Sequence, residues 1–263
     1  MLDFVYKKKY GVYDLVRIVE ILRAPGGCPW DIEQTHESTR RNLLEEAYEA
    51  AEAIDTGDRG LLLEELGDVL AQVVFHSQIE RESGSFDLDD VADGVCRKFI
   101  ERHPHVFGDL EVSGSGEVLK NWDEIKRSQK GHGTHSQAIS SVAKSLPSLW
   151  RAEKIQQKAR RAGLDWEDCR GALDKLSEEV SELCEAVEKG GNVEEELGDL
   201  LFSAVNVSRF IRIDPEEALH RACDKFSARF EYVEKCILEE GGDMESRTLE
   251  ELDLLWEKAK SAL

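Results

Sequence analysis

The same acidic motif occurs twice in this chain, and the repeat restricts the possible folds more than any other feature. In the second half, Ser177–Glu182 (SEEVSE) is followed, after a short glycine break, by Glu194–Phe202 (EEELGDLLF). In the first half, Leu44–Glu49 (LEEAYE) is followed, after a similar break, by Glu64–Leu70 (EELGDVL). Residues three apart lie on one face of an α-helix. Each copy therefore predicts two amphipathic helices that fold back on each other.

The second copy places four carboxylates on these two facing helices: Glu179, Glu182, Glu196 and Asp199. Each helix carries two of them three residues apart, and the break at Gly190-Gly191 allows an antiparallel hairpin. Ionised carboxylates crowded between packed helices repel one another, and a hard divalent cation removes that repulsion. Mg²⁺ takes oxygen ligands and keeps waters that a phosphate can replace. The spacing therefore predicts a Mg²⁺ site.

A solvated acidic surface is the other interpretation of a Glu-rich helix, because charged residues generally lie outside. Two observations favour the metal site. The carboxylates occur as pairs across one turn, an arrangement that metal-binding helical bundles use. They also flank an apolar stripe that consists of Val180, Leu183, Val187, Leu197, Leu200 and Leu201.

The repeat extends to basic and aromatic residues spaced four apart. The pairs are Lys98 with Arg102 and Trp122 with Lys126 in the first half, and Lys225 with Arg229 and Trp256 with Lys260 in the second. Lys and Arg neutralise phosphate charge, and Trp offers a flat surface for a base. Ordinary surface ion pairs are the alternative for Lys225 and Arg229, which have acidic neighbours on the same segment. Burial in the core is the alternative for Trp256.

Helical spacing of apolar residues continues through most of the chain, and no segment alternates with a period of two. We therefore predict an all-α fold. Asp214-Pro215 is typical of a helix start, and Thr248–Glu251 has the sequence of a capping box. A polar run rich in Gly, His and Ser predicts an interdomain linker over residues 129–140. The predicted domains are residues 1–128 and 141–263.

Charge and cysteine usage exclude several classes of protein. The chain has 34 Lys and Arg against 55 Asp and Glu, a formal net charge of -21, which repels nucleic acid. No apolar run is long enough for a membrane helix or a signal peptide, so we expect a cytoplasmic protein without a membrane partner. The six cysteines form no Cys-x-x-Cys pair, which indicates reduced thiols rather than a zinc site or a disulfide framework.

Two further strings make the sequence distinctive: Gly27–Asp31 (GCPWD) and Glu101–Phe107 (ERHPHVF). Together with the doubled acidic motif, they resemble the MazG family of nucleoside triphosphate pyrophosphohydrolases in its two-domain form, over nearly the whole chain. The resemblance implies tandem helical-bundle domains and a homodimer with a four-helix-bundle type of assembly. It also implies Mg²⁺-dependent hydrolysis of a nucleoside triphosphate to the monophosphate and pyrophosphate, with broad base specificity.

Residue by residue, the resemblance assigns metal ligands in both copies. The second-copy ligands are Glu179, Glu182, Glu196 and Asp199, and the first-copy ligands are Glu46, Glu49, Glu65 and Asp68. The nucleotide contacts are Lys225, Arg229, Trp256 and Lys260, with Lys98, Arg102, Trp122 and Lys126 as their first-copy counterparts. Either Glu178 or Glu182 is placed to accept the proton of the attacking water. In the family the second copy is commonly the active one, yet this chain keeps every ligand position in both.

Two other functional classes stay open at this level. The chain could be a non-catalytic module in which nucleotide and metal binding regulate contact with a protein partner. It could also be a pyrophosphohydrolase for a modified or phosphoribosylated nucleotide. Pyrophosphate release with Mg²⁺ separates the enzyme from the module, and a panel of substrates separates the two enzymes.

Overall fold

A computed structural model describes residues 4–118, 121–122, 125 and 134–263. The chain forms two compact units, Met1–Lys130 and Gly131–Leu263. The described residues are helical or irregular and contain no strand, which confirms the all-α prediction. No helix in these residues is long and apolar enough to cross a membrane.

The first unit is organised around an antiparallel pair of long helices. Its helices are α1 (Val12–Arg23), α2 (Pro29–Glu33), α3 (His36–Thr56), α4 (Arg59–Ser83), α5 (Leu88–Arg102) and α6 (Pro104–Phe107). Residues 115–118, 121, 122 and 125 are also helical, in the segment where the sequence predicts a further helix. Helices α3 and α4 form the hairpin, and α1 and α5 both pack on α4.

Local sequence explains where this hairpin turns. Thr35 accepts a hydrogen bond from the backbone N–H of Ser38 and caps α3. Gly57 ends α3 in the left-handed conformation, with φ of 70°, which costs little only for glycine. Asp58 then accepts hydrogen bonds from the backbone N–H groups of Gly60 and Leu61 and caps α4. Two long helices therefore reverse within two residues.

The second unit repeats this arrangement. Its helices are α7 (His135–Ser140), α8 (Ser148–Arg161), α9 (Cys169–Lys189), α10 (Val193–Ile211), α11 (Pro215–Glu239) and α12 (Leu249–Ala262), with a 3-10 turn at Met244–Ser246. Helices α9 and α10 form the hairpin, and α8 packs against α10. Helix α7 lies inside the stretch that composition assigns to the linker, and it packs on α8.

Caps again define the hairpin of the second unit. Asp168 caps α9, Gly190 ends it with φ of 78°, and Asn192 accepts a hydrogen bond from the backbone N–H of Glu195 at the start of α10. The two starts predicted from sequence are confirmed as well. Asp214 caps α11 with proline at its first position, and Thr248 forms the capping box of α12.

The GCPWD string differs from its predicted form. The sequence suggests a loop through Trp30, but helix α2 begins at Pro29, where proline lacks an N–H that the first helical turn would leave unbonded anyway. A Cβ at Gly27 would collide with the backbone oxygens of Ile21 and Leu22. The chain therefore reverses tightly between α1 and α2, and glycine is required at that point.

Both hairpins leave large apolar side chains exposed. In the second unit these include Val180, Val187, Leu197, Leu201 and Phe202, and in the first unit Leu44, Tyr48, Leu63, Leu66 and Leu70. The largest fully buried side chains are only Ile237, Val74 and Val205. Large apolar side chains that are exposed along both helices of a hairpin favour a protein–protein interface.

Candidate metal centre

The second unit brings three of its four predicted ligands together. Oxygen atoms of Glu179, Glu196 and Asp199 all lie within 4.8 Å of one another. Glu179 projects from α9 and is only 5% exposed, whereas Glu196 is half-buried and Asp199 is exposed on α10. A buried carboxylate therefore forms the inner wall of the cluster, and the side of Asp199 is open to solvent.

Lys175 is the main residue of this site that sequence reasoning missed. Its Nζ lies 2.8 Å from Glu179, 3.0 Å from Glu178 and 3.8 Å from Glu182. Hydrogen bonds to Glu179 and Glu178 raise the pKa of Lys175, which is therefore cationic at any physiological pH. The i,i+4 spacing from Lys175 to Glu179 on α9 is visible in the sequence and could have indicated the contact.

Glu178 and Glu182 lie at the edge of the cluster. Both side chains are about half exposed, and neither belongs to the group of three oxygens. Burial raises the pKa of Glu182, the charge of Lys175 opposes the shift, and the charges of Glu179, Glu178 and Glu196 add to it. Glu182 thus holds a proton more readily than an isolated glutamate.

A cavity adjoins this edge, at the turn between α9 and α10. Its volume is about 320 Å³, and it is lined by Glu182, Glu196 and the turn residues Gly190, Gly191 and Asn192. The carboxylates of Glu182 and Glu196 therefore face an open space on the turn side of the cluster. A polar group of several atoms fits in it next to a cation held by the cluster.

The first unit contains a similar cluster with a different charge balance. Oxygen atoms of Glu46, Glu49 and Glu65 lie within 4.8 Å of one another. Burial raises the pKa of Glu46, and the charges of Asp68 and Glu49 raise it further. Burial also raises the pKa of Glu65, which is 8% exposed, with Glu49 and Asp68 adding to the effect. The charge of Asp68 thus reaches the cluster, although its oxygens lie outside the close group.

The two clusters differ at the position one helical turn before the first ligand. The offset of 133 positions that relates Glu46 to Glu179 also relates Asn42 to Lys175. Within the described part of the chain, no ion pair involves Glu46, Glu49, Glu65 or Asp68. Among the described residues, the carboxylates of the first cluster therefore have no ion-pair partner, whereas Glu179 of the second cluster is paired with Lys175.

Both donor sets suit a hard divalent cation. They consist of carboxylate oxygens alone, the ligand type that Mg²⁺ and Ca²⁺ prefer. Opposite ligands of an octahedral Mg²⁺ are about 4 Å apart, so oxygens grouped within 4.8 Å need only a small inward movement. Three protein ligands leave coordination positions for water or for oxygens of a substrate.

The predicted nucleotide contacts of the second unit lie on α11 and α12. Lys225 is exposed, and Nε of Arg229 is buried without a hydrogen-bond partner. Trp256 is half-buried, and its ring centroid is 5.0 Å from that of Phe226. It also packs against the core cluster of Val233, Ile237 and Ala259. Lys260 forms an ion pair with Glu257 on its own helix.

None of these four residues forms an ion pair or a hydrogen bond with the carboxylate cluster in the described residues. In the first unit, Lys98 is exposed, and the guanidinium of Arg102 lies over the ring of Trp122, 5.4 Å from its centroid. Lys126 lies outside the described residues. The described basic and aromatic residues of each unit therefore lie on helices other than the two that carry the carboxylate cluster.

Fold and site together define the class of protein: an all-α protein of two similar units, each carrying a carboxylate cluster on a helical hairpin. The sequence matches the MazG nucleotide pyrophosphohydrolase domain over residues 34–107 and again over 170–234. The chain belongs to the MazG family, and the resemblance in the sequence is confirmed. Both segments contain the acidic hairpin of their unit.

Three relatives cover nearly all of this chain. It is 48% identical over 247 residues to the nucleoside triphosphate pyrophosphohydrolase/pyrophosphatase MazG of Thermotoga maritima, with 94% of each chain aligned. It is 39% identical over 251 residues to the nucleoside triphosphate pyrophosphohydrolase of Escherichia coli K12, covering 94% of this chain and 95% of that one. It is 46% identical over 246 residues to the uncharacterized protein YabN of Bacillus subtilis, covering 92% of this chain and 50% of that protein.

Proposed function

We propose that this protein hydrolyses nucleoside triphosphates to the monophosphate and pyrophosphate, with Mg²⁺ as cofactor and broad base specificity. The observation that carries the proposal is the oxygen cluster of Glu179, Glu196 and Asp199 in a MazG-family chain. Two relatives that align over almost their whole length are named for this activity. The family matches in both units, and the cluster of the second unit adjoins a cavity.

The cluster residues would hold the cation, with Glu182 closing the set from the edge. A bound Mg²⁺ would neutralise charge on the triphosphate and make a coordinated water more acidic. The reaction adds the oxygen of a water to phosphorus, breaks the bond between the α-phosphorus and the bridging oxygen, and releases pyrophosphate. The chain itself must hold the triphosphate in line and accept one proton from the water.

Glu182 is the better candidate for the proton acceptor. The pKa of Glu182 is raised towards neutral pH, which suits a general base. Glu182 also lines the cavity beside Glu196. Glu178 is held at 3.0 Å by Lys175 and is not among the residues that line the cavity. We assign Glu178 to the orientation of Lys175.

The cationic residues would bind the phosphates, and the aromatic residue would bind the base. Arg229 has a buried Nε that lacks a partner, and an anionic ligand would supply one. Lys225 is exposed on the same helix, one turn earlier. The packing of Trp256 against Phe226 fixes the indole and leaves it half-buried, as a stacking surface requires. Lys260 lies one turn beyond Trp256.

The exposed apolar faces of the hairpins support a homodimer. A second copy would cover Leu197, Leu201 and their neighbours with the equivalent surface, and symmetric dimers are the commonest oligomers. Two hairpins packed face to face would form a four-helix-bundle type of core. This assembly would also restrict the open side of the carboxylate cluster.

Product analysis in heavy-oxygen water tests the proposed reaction. We expect each natural nucleoside triphosphate to give monophosphate and pyrophosphate in the presence of Mg²⁺ and neither product in the presence of a chelator. Heavy oxygen should appear in the monophosphate, because the water attacks the α-phosphorus. Release of nucleoside diphosphate and phosphate would contradict the proposal. A panel that includes modified nucleotides measures the specificity.

A further inference from the structure

The second unit contains an ammonium group that pairs with Glu179, one of the three residues of the proposed metal site. Lys175 lies one helical turn before Glu179, and its Nζ is within 4 Å of Glu178, Glu179 and Glu182. Glu179 is almost completely buried, and a buried carboxylate needs a partner to compensate for its lost hydration. Lys175 supplies that partner in the metal-free protein.

The position of Lys175 makes it displaceable. Its side chain is 34% exposed, so the ammonium has a path to solvent along the surface of α9. A lysine carries one charge on a flexible stem, whereas Mg²⁺ carries two charges and coordinates several oxygens at once. The lysine and the metal compete for the same buried carboxylate, because an oxygen of Glu179 that coordinates a cation can no longer accept the full ion pair.

The first unit lacks this competitor. Its equivalent position is Asn42, and the described residues contain no ion pair to its cluster. A cation that binds to Glu46, Glu49 and Glu65 therefore meets uncompensated carboxylates. The same family domain thus occurs twice in one chain, and among the described residues only the second copy has a lysine paired with a carboxylate of its cluster.

We propose that Lys175 is an internal cation that holds Glu179, the buried member of the second unit's carboxylate cluster, until a divalent cation displaces it, and that the first unit, which has Asn42 instead, binds divalent cations more tightly in the absence of nucleotide. This inference rests on the proposed function, since it takes the two clusters as cation sites. If Lys175 acts in this way, the second unit binds a divalent cation only when the cation displaces the lysine. The first unit loads with metal at lower concentration.

The test measures binding of Mn²⁺ to the full chain, because electron spin resonance gives the concentration of free Mn²⁺ directly. Glu46→Gln together with Glu65→Gln silences the first unit, so binding reports on the second. In this background Lys175→Asn, which installs the residue of the first unit, should lower the dissociation constant about tenfold, roughly the effect of removing one partly screened like charge. Lys175→Met removes the charge but keeps the length of the side chain, and should act in the same direction.

The reciprocal change gives an independent measurement. With the second unit silenced by Glu179→Gln and Glu196→Gln, Asn42→Lys should weaken Mn²⁺ binding to the first unit by about the same factor. For Lys175→Asn, in the background that silences the first unit, the matched control is Lys189→Asn, because it removes one positive charge from α9 at a residue paired with Glu185. It should change the affinity less than twofold, as expected for an exposed pair. Circular dichroism identifies any variant that fails to fold.

The outcomes separate this inference from the proposed function. Equal or weaker Mn²⁺ binding after both Lys175→Asn and Lys175→Met would overturn the role of Lys175 while leaving the metal site intact. An effect of Lys189→Asn as large as that of Lys175→Asn would overturn it too, because general charge would then explain the result. Absence of Mn²⁺ binding in every variant would overturn the metal site itself, and this inference with it.

Discussion

Single side chains decide the chemistry of the two clusters. Glu179 is buried beneath Glu196 and Asp199, so it cannot reach water as an alternative to a cation. Removal of one such ligand leaves the remaining carboxylates mutually repelling and the triphosphate poorly held. The ligand residues should therefore have large effects on activity and small effects on folding.

We expect Glu179→Ala and Asp199→Ala to lower the rate of pyrophosphate release by about a hundredfold or more, since the proposed metal ion would stabilise the transition state by several kcal/mol. Glu46→Ala and Asp68→Ala are the matched changes in the first unit and should have a smaller effect. The measurement is pyrophosphate release with and without Mg²⁺ from folded protein. Wild-type rates in the first pair with loss in the second would reverse the assignment of the two units.

A histidine pair in the first unit makes its stability depend on pH. Nδ1 of His36 lies 2.7 Å from Nδ1 of His76, and Nε2 of His36 lies 2.7 Å from Glu80. The planes of the two rings differ by only 6°, and one Nδ1 donates a hydrogen bond to the other. Burial lowers the pKa of His76, and the charge of His36 lowers it further.

The sign of the pH dependence follows from that lowered pKa. The unfolded chain protonates His76 near its ordinary pKa of about 6.5, whereas the folded protein does so only at lower pH. The contribution to stability is therefore complete above pH 6.5 or so and is lost as the pH falls towards the folded-state pKa. Urea denaturation of the wild type and His76→Gln at pH 8 and pH 5.5 measures it. An equal loss in both proteins would contradict the role of His76.

At the level of helices, the hairpin turns determine which residues face each other. Gly190 ends α9 in the left-handed region, and a Cβ there would meet no atom within 4 Å. Arg212 ends α10 with φ of 59°, the only described residue other than glycine with positive φ. Both hairpin helices therefore end in the left-handed conformation. Glycine adopts it easily at Gly190, whereas the side chain of Arg212 disfavours it.

These two positions predict opposite effects on stability. Gly190→Ala should destabilise the second unit by about 1 kcal/mol, because the Cβ of alanine disfavours the left-handed backbone conformation that glycine adopts easily. Arg212→Gly should be neutral or stabilising by a similar amount, because it relieves the same strain. Thermal or urea denaturation of each variant against the wild type checks the signs. A Gly190→Ala protein more stable than the wild type would contradict the prediction, because the turn would then not require the left-handed conformation.

At the level of the whole molecule, the exposed faces of the hairpins predict association. We expect a dimer by sedimentation at micromolar concentration. Leu201→Glu places a charge on the exposed face of α10 and should produce monomers, since burial of an unpaired charge in an interface is unfavourable. Leu164→Glu is the control: Leu164 is more exposed but lies in the loop between α8 and α9. A fully active wild-type monomer would contradict the prediction.

Local sequence patterns are enough to predict the all-α fold, the duplication and the positions of the hairpins. These properties are local, because helical periodicity and capping residues act over a few positions. Three ligands in each cluster could be read from i,i+3 spacing for the same reason. The sequence also showed that Asp214 and Thr248 begin helices, and the structure confirms both.

Which of these side chains come into contact depends on how the helices pack in three dimensions. The approach of α9 to α10 buries Glu179 beside Glu196 and Asp199 and leaves Glu182 outside the close group. Packing of α11 against α12 brings Trp256 to Phe226. These contacts depend on how helices rotate about their axes when their apolar faces pack, and a few tens of degrees decide which acidic side chain is buried. The difference between Lys175 and Asn42 is present in the sequence, but its importance depends on the burial of Glu179, which follows from the packing of α9 against α10.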